Sequence, residues 1–235
     1  METATTFAER LRELDFSALA AMHRAAAEVV ACTQDLAHAG LNPVTAVLDG
    51  AAVVEEWAHY PSSDDVLDPS TRAQYYYHAH GVGERAPGEH GHFHTFLGRQ
   101  DPGALRQAPP GALTHLIGIS MDRYGRPLRL FTTNRWVTGE DWRQADDVIP
   151  MLDRFSVDVA QPHRALNRWL TALMRLFRPN IVDLIRARDR VLARRHPCAG
   201  CDVHEDRALH VISEAPVDLV GQIRTIEELA GKSSP

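Results

Sequence analysis

The sequence contains no apolar run of the roughly 18 residues that a membrane-spanning helix requires. Its three cysteines are an odd number and do not suggest the disulfide framework of a small secreted protein. Its net charge of -6 disfavours a nucleic-acid-binding face. The N-terminal residues show no basic segment followed by an apolar one. We therefore expect a cytoplasmic protein that binds neither nucleic acid nor a membrane.

The composition of the 235 residues is that of an ordinary globular protein, with 44% hydrophobic and 24% charged residues. We expect a single α+β domain over residues 1–235, because a sheet needs helices to cover its apolar face. An antiparallel sheet of about four to five strands is flanked by N-terminal and C-terminal helices. The helical segments are predicted over 5–60 and 143–195, the sheet over 74–135, and a strand plus a helix over 207–230.

Local signals place the individual elements. Asp15 is expected to cap a first helix that ends near Gly40. Asn42 and Pro43 are expected to open a second helix that continues to Trp57. The predicted strands cover 74–80, 90–97, 113–121, 127–134 and 208–213, and a final helix covers 216–229.

Five of the thirteen histidines fall between positions 78 and 94, and they alternate with other residues within two predicted strands. Side chains two positions apart on a strand point to the same face. If the paired residue numbers sum to an even value, as for 78 with 92, all five imidazoles share one face. Tyr77 and Phe93 then share the other face.

This histidine cluster predicts a metal site, because imidazole is the commonest metal-ligating side chain and burying five imidazoles without partners would be costly. We expect one divalent transition metal, with iron first and zinc, nickel, manganese or copper as alternatives. A hydrated or hydrogen-bonded set of structural histidines is the other interpretation. The candidate metal ligands are His78, His80, Glu84, His90, His92 and His94.

Residues 78–84 have the form H-x-H-x3-E. This segment resembles the first half of the cupin metal motif, in which two histidines and a glutamate bind a divalent metal. The resemblance implies that His78, His80 and Glu84 are ligands. The second half of that motif is absent, so the resemblance bears on the metal and not on the fold. In cupins a later strand supplies a further histidine, for which the candidates are His92, His94 and His115.

The segment from His90 to His94 resembles the histidine-triad nucleotide hydrolases and transferases, in which the middle histidine attacks a phosphate. The resemblance implies that His92 is a nucleophile. Phe93 fits the hydrophobic spacing of that family, whereas Gly91 and Thr95 do not.

A mononuclear site with open coordination positions predicts an enzyme that acts on a small molecule. An Fe(II)-type oxygenase or oxidoreductase is the first expectation, because histidine and carboxylate ligands suit oxygen chemistry. The alternatives are a zinc or nickel hydrolase, a histidine-triad-like enzyme, and a non-enzymatic metal-binding or metal-sensing protein. His92 and Glu89 are the candidate catalytic residues, with Glu89 orienting an imidazole. A homodimer is compatible with the sequence.

A polar and aromatic segment follows the strand predicted to end at 134. Arg135 and Trp136 are the candidate substrate-binding residues, because a guanidinium can grip a carboxylate or phosphate of an anionic substrate. The alternative is that Arg135 pairs with Glu140 or Asp141. His115 is expected in the apolar core, because a lone histidine among apolar residues is more often structural than a ligand.

A Cys-x2-Cys knuckle flanked by histidines lies near the C-terminus. It has the form of half a zinc site, without the usual distant second half. A redox dithiol and ordinary reduced cysteines are the alternatives. The residues of this second candidate metal site are His196, Cys198, Cys201 and His204.

Overall fold

The computed structural model describes residues 11, 14–51, 53–61, 65–81, 83–98, 113–195 and 202–232. Within these ranges the chain forms seven α-helices, one short 3-10 helix and a six-stranded antiparallel sheet. The predicted α+β class is confirmed, and the sheet has one strand more than the upper end of the prediction. Across the described ranges, no helix combines the length and the apolar character needed to cross a membrane.

Among the described residues, two helices precede the sheet, four lie between its fifth and sixth strands, and one follows its last strand. They are α1 Phe16–His38, α2 Pro43–Leu48, α3 Arg135–Thr138, α4 Ala145–Leu152, α5 Arg164–Leu176, α6 Arg178–Arg194 and α7 Leu219–Lys232, with the 3-10 helix at Val203–Glu205. The α1 helix begins as predicted, because the Asp15 carboxylate accepts a hydrogen bond from the Ala18 N–H at 2.7 Å.

The α2 helix also begins where the sequence predicts, with Asn42 as its cap and Pro43 in its first turn. It ends at Leu48, however, and does not continue to Trp57. The backbone of Asp49 is left-handed, with φ of 49°, and this conformation cannot continue a right-handed helix.

Each strand of the sheet pairs with its neighbour in the sequence, so the spatial order is the chain order. The strands are β1 Val66–Leu67, β2 Ala73–His78, β3 Gly91–Gly98, β4 Leu113–Met121, β5 Pro127–Thr133 and β6 Val211–Pro216. The strand that was not predicted, β1, is only two residues long. The β6 strand begins three residues later than predicted and includes Pro216, so the last helix also begins later.

The pairing of β2 with β3 has the predicted even register, with His78 opposite His92 and Tyr77 opposite Phe93. The aromatic face of this pair joins the main core, where the hydroxyl of Tyr75 donates to the side-chain oxygen of Asn167 in α5 at 2.5 Å. The opposite face carries imidazoles. The alternation therefore separates an apolar face that packs on helices from a histidine face.

A β-bulge changes the side on which β4 presents its first residues. Thr95 lies opposite Ile117, whereas the next residue, Phe96, lies opposite His115. The extra residue in β4 shifts the alternation, so that His115 shares the face of His94. The expectation that His115 lies among the apolar core residues is therefore wrong.

A glycine in β4 makes room for an aromatic ring on the histidine face. Gly118 lies opposite Phe131 of β5, and a Cβ atom on Gly118 would be 2.4 Å from Cζ of Phe131. The ring of Phe131 is edge-on to His92 and His94, with centroid distances of 5.2 Å and 5.8 Å. The absence of a side chain at 118 thus lets Phe131 cover the imidazoles.

Replacement of Gly118 by alanine is expected to lower the free energy of unfolding by about 1–3 kcal/mol, because the Phe131 ring must leave its position. Denaturant unfolding measures the change. Gly83→Ala is the matched control, because a Cβ atom at Gly83 meets nothing within 4 Å. The control is expected to stay within about 0.5 kcal/mol of the parent. Equal stabilities for the two variants would contradict the proposed packing of Phe131.

Candidate metal centre

Three imidazoles converge on the histidine face of the sheet. His78 ends β2, while His92 and His94 alternate along β3. Each offers one ring nitrogen, and these nitrogens all lie within 4.8 Å of one another. All three residues are buried. This arrangement is close enough to hold one metal ion, and we refer to these three residues as the histidine cluster.

His80 lies beside the histidine cluster, although it is not one of the three converging ligands. Its ring centroid is 4.9 Å from that of His78 and 5.1 Å from that of His92. Its Nδ1 atom is 3.5 Å from the carboxylate of Glu84, whose side chain is 61% exposed. The structure therefore places Glu84 next to His80 at the surface and does not bring it into the convergent group.

His90 lies on the other side of the sheet. Its Nδ1 atom is 2.8 Å from the hydroxyl of Tyr77, a residue of the apolar face. The β3 strand begins at Gly91, so His90 precedes the ladder and the strand alternation does not fix its direction. The predicted placement of all five imidazoles on one face therefore fails at His90.

A buried carboxylate orients His92. Glu89 lies 2.8 Å from Nδ1 of His92, accepts a hydrogen bond from the Ser120 hydroxyl at 2.5 Å, and lies 3.4 Å from the Arg129 guanidinium. Burial raises the pKa of Glu89, but the partners His92, Ser120 and Arg129 outweigh burial and hold it below its usual value. An ionised Glu89 places the proton of His92 on Nδ1 and leaves Nε2 as the donor for a metal.

A second imidazole orients His94. Nδ1 of His94 is 3.0 Å from Nε2 of His115, whose own Nδ1 is 3.5 Å from the Thr133 hydroxyl. The backbone N–H of His115 also donates to the Glu140 carboxyl group at 2.8 Å. His115 is therefore a partner of the histidine cluster that sequence alternation missed, because only the bulge brings it to this face.

Aromatic rings surround the outer side of the cluster. Trp57 is 58% exposed, and its ring centroid lies 4.3 Å from that of His80. The backbone N–H of Trp57 donates to the Ala79 carbonyl. His210, just before β6, lies 5.9 Å from His80 and 5.3 Å from Trp136. Trp136, a predicted substrate-binding residue, thus belongs to a rim around the cluster. No pattern in the sequence indicates a functional role for Trp57 or His210.

The guanidinium of Arg135 is occupied by two carboxylates. Its Nη2 atom is 2.6 Å from Asp202 and 2.9 Å from Glu205, and its Nε atom is 3.1 Å from Glu205. These partners differ from Glu140 and Asp141, which we considered as the alternative. The planar fork needed to grip an anionic substrate is already engaged, so the structure does not support the predicted binding role of Arg135.

The second candidate metal site lies mostly outside the described residues. His196, Cys198 and Cys201 are outside the described residues. His204 is described, and its ring centroid lies 4.6 Å from that of Trp142.

Burial keeps the imidazoles of the cluster neutral. It lowers the pKa of His78 to about 2, with the neighbouring His92 adding to the effect. Burial likewise lowers the pKa of His115 to about 3 and holds the pKa of His94 well below its usual value. Neutral imidazole is the form that binds a metal, so near pH 7 these side chains are ready to act as ligands.

These pKa values predict that the metal-free protein loses stability as the pH falls below about 6.5. The unfolded imidazoles take up protons near that pH, whereas the folded ones stay neutral. Each such imidazole is expected to cost about 1.4 kcal/mol of unfolding free energy at about pH 5.5. Denaturant unfolding at about pH 7.5 and 5.5, after treatment with a chelator, measures the loss.

The His115→Asn variant isolates one imidazole in this experiment, because asparagine does not titrate. Its unfolding free energy should fall by about 1.4 kcal/mol less than that of the parent over the same interval. Identical losses in the two proteins would contradict the assignment of His115 as a buried neutral group.

Comparison with known proteins places the chain in a family but gives it no function. The profile of a family described as a domain of unknown function, DUF6969, matches residues 23–217. That match includes the whole sheet and the histidine cluster. Neither the curated proteins nor the solved structures yielded a match. The chain belongs to the DUF6969 family.

Proposed function

We propose that the protein is a metal-dependent enzyme with one divalent transition-metal ion held by His78, His92 and His94. The observation that carries this proposal is the convergence of three buried ring nitrogens within 4.8 Å. Burying neutral imidazoles against one another is unfavourable unless their lone pairs find a partner. Three protein ligands also leave coordination positions for water and substrate, which favours a catalytic site over a closed structural one.

The ligand set favours hydrolysis over oxygen chemistry. Iron oxygenases of the common kind use two histidines and one carboxylate. Here the buried carboxylate, Glu89, is engaged by His92, Ser120 and Arg129. Three neutral imidazole ligands would leave the double positive charge of the ion uncompensated, and an ion held in this way would polarise a substrate oxygen and lower the pKa of bound water. We therefore place a zinc or nickel hydrolase ahead of the Fe(II)-type oxygenase.

The oxygenase remains the second candidate because of His80 and Glu84. These residues lie beside the cluster, and a shift of the Glu84 side chain would supply the carboxylate that an iron site needs. Histidine-triad chemistry has less support. Nε2 of His92, which would attack a phosphate, lies 2.7 Å from Nε2 of buried His78. That contact places Nε2 of His92 against a buried side chain and leaves little access for a nucleotide.

The protein's own residues define what surrounds the ion. Glu89 holds the proton on Nδ1 of His92, and His115 fixes the ring of His94. Phe131 covers the cluster from within the sheet, and Trp57 forms part of its exposed rim. A small molecule is the substrate that fits such a partly covered site, since a covering of rings excludes bulk water from the reacting group.

The metal content of protein purified without a histidine tag tests the proposal. We expect close to one zinc, nickel or iron ion per chain by mass spectrometry, and loss of most of it in His92→Ala. His90→Ala is the matched control, because it removes a nearby imidazole that points to the other face. A native protein that is metal-free and binds none of these metals on titration would overturn the proposal. So would equal losses in the two variants.

A separate prediction concerns the orientation of His92 by Glu89. Glu89→Gln removes the charge that holds the Nδ1 proton, so the metal affinity is expected to fall by about 10–100-fold. Competition with a chromogenic chelator measures the dissociation constant. Glu84→Gln, a change of the same kind at an exposed carboxylate, should leave the affinity nearly unchanged. A larger loss in Glu84→Gln would instead identify Glu84 as a ligand and favour the oxygenase.

A further inference from the structure

A cavity of about 720 Å³ lies along the seam between α1 and α5. The α5 helix packs against the aromatic face of the sheet through Asn167, so this cavity belongs to the helical side of the protein. The histidine cluster lies on the other face of the same sheet. The volume is within the range of about 300–1,000 Å³ that is usual for small-molecule sites. We refer to this cavity as the helical cleft.

Small apolar side chains line the inner part of the helical cleft. Ala25 of α1, Ala172 of α5 and Val157 of the preceding loop are all buried and all line it. These three side chains belong to the main hydrophobic core and give the cleft an apolar floor.

Arginines dominate the charged lining. Four of them line the cleft, against only two acidic side chains, Glu28 and Asp158. Each acidic side chain already has a cationic partner, since Arg168 lies 2.7 Å from Glu28 and Arg164 lies 3.0 Å from Asp158. The two acids thus account for two of the four guanidiniums.

The remaining two guanidiniums, those of Arg24 and Arg175, are solvent-exposed and form no ion pair with any described residue. They come from different helices, so the folding of the chain brings them to one cavity. The chain as a whole carries a net charge of -6. The cleft therefore carries two more guanidiniums than carboxylates, and this local positive charge favours an anionic ligand.

We propose that the helical cleft binds a small molecule with a phosphate-type group and a short apolar body, at a site separate from the histidine cluster. The guanidinium is the side chain best suited to phosphate, because its planar fork donates two parallel hydrogen bonds. Arg24 and Arg175 hold the anionic group, and the alanine floor accepts the apolar part. The same chemistry occurs in soluble phosphate esters and in lipid headgroups.

Titration calorimetry with inorganic phosphate and with phenyl phosphate tests the site, with sodium chloride at matched ionic strength as the control for screening. We expect one phosphate-type ion per chain, with phenyl phosphate binding more tightly than inorganic phosphate. In the double variant Arg24→Ala/Arg175→Ala the dissociation constant should rise at least tenfold. Arg154→Ala/Arg190→Ala removes the same charge from two exposed arginines outside the cleft and should leave binding unchanged.

Two further measurements show whether the helical cleft is independent of the histidine cluster and whether its ligand is a lipid headgroup. The His92→Ala variant should keep phosphate binding although it loses metal, so the two proposals can fail independently. Co-sedimentation with vesicles that contain phosphatidic acid, lost in the Arg24/Arg175 double variant, would identify the anionic group as a lipid headgroup. Equal binding by both double variants, or no binding of phosphate, phenyl phosphate or vesicles, would overturn the proposal.

Discussion

The pairing of His78 with His92 decides which side chains of the central hairpin meet. Successive side chains of a strand point to opposite faces, so a slip of one residue would carry His78 to the helical side. The opposite face holds the pairing in place. Tyr75 and Tyr77 both contact Phe93 there, with ring centroids 5.8 Å and 4.9 Å apart. Each buried aromatic side chain contributes about 1.5–3 kcal/mol, so the apolar face stabilises the register that gathers the imidazoles.

Burial of the histidine face contributes least to the stability of the sheet. Its imidazoles give up hydration, and burial keeps them neutral. Glu89 and His115 compensate in part, because each bonds the Nδ1 atom of one cluster histidine. Nε2 of His92 lies 2.7 Å from Nε2 of His78. A metal ion would satisfy them together, and its binding energy would then add to the stability of the fold.

The local sequence pattern predicted much of the fold but only part of the candidate metal centre. Alternation along β2 and β3 predicted the even register, since one face had to be apolar. It failed at His90, which lies just before the ladder, and at His115, which a bulge turns over. Neither irregularity has a signature in the spacing of residue types.

The remaining parts of the site depend on contacts between distant segments. Arg135 has its carboxylate partners in the segment around Asp202. His210 precedes the edge strand β6, far from His80 in the sequence, and the fold brings the two rings within 5.9 Å. The helical period places Arg164, Arg168 and Arg175 along α5. Nothing in the sequence shows, however, that α1 would add Arg24 to the same cavity. The local sequence pattern therefore predicts the helices, the strands and the face of the sheet on which a side chain lies. Which residues meet in a site depends on how those helices and strands pack.

X-ray absorption spectroscopy at the edge of the bound metal tests whether His78, His92 and His94 hold the ion, because it counts and identifies the atoms around it. We expect a first shell with about three imidazole nitrogens at about 2.0–2.1 Å for zinc, completed by oxygen atoms from water. A shell containing sulfur would contradict it and direct attention to the cysteine knuckle. A shell of oxygen atoms without the multiple-scattering signal of imidazole would show that the ion is not bound by His78, His92 and His94.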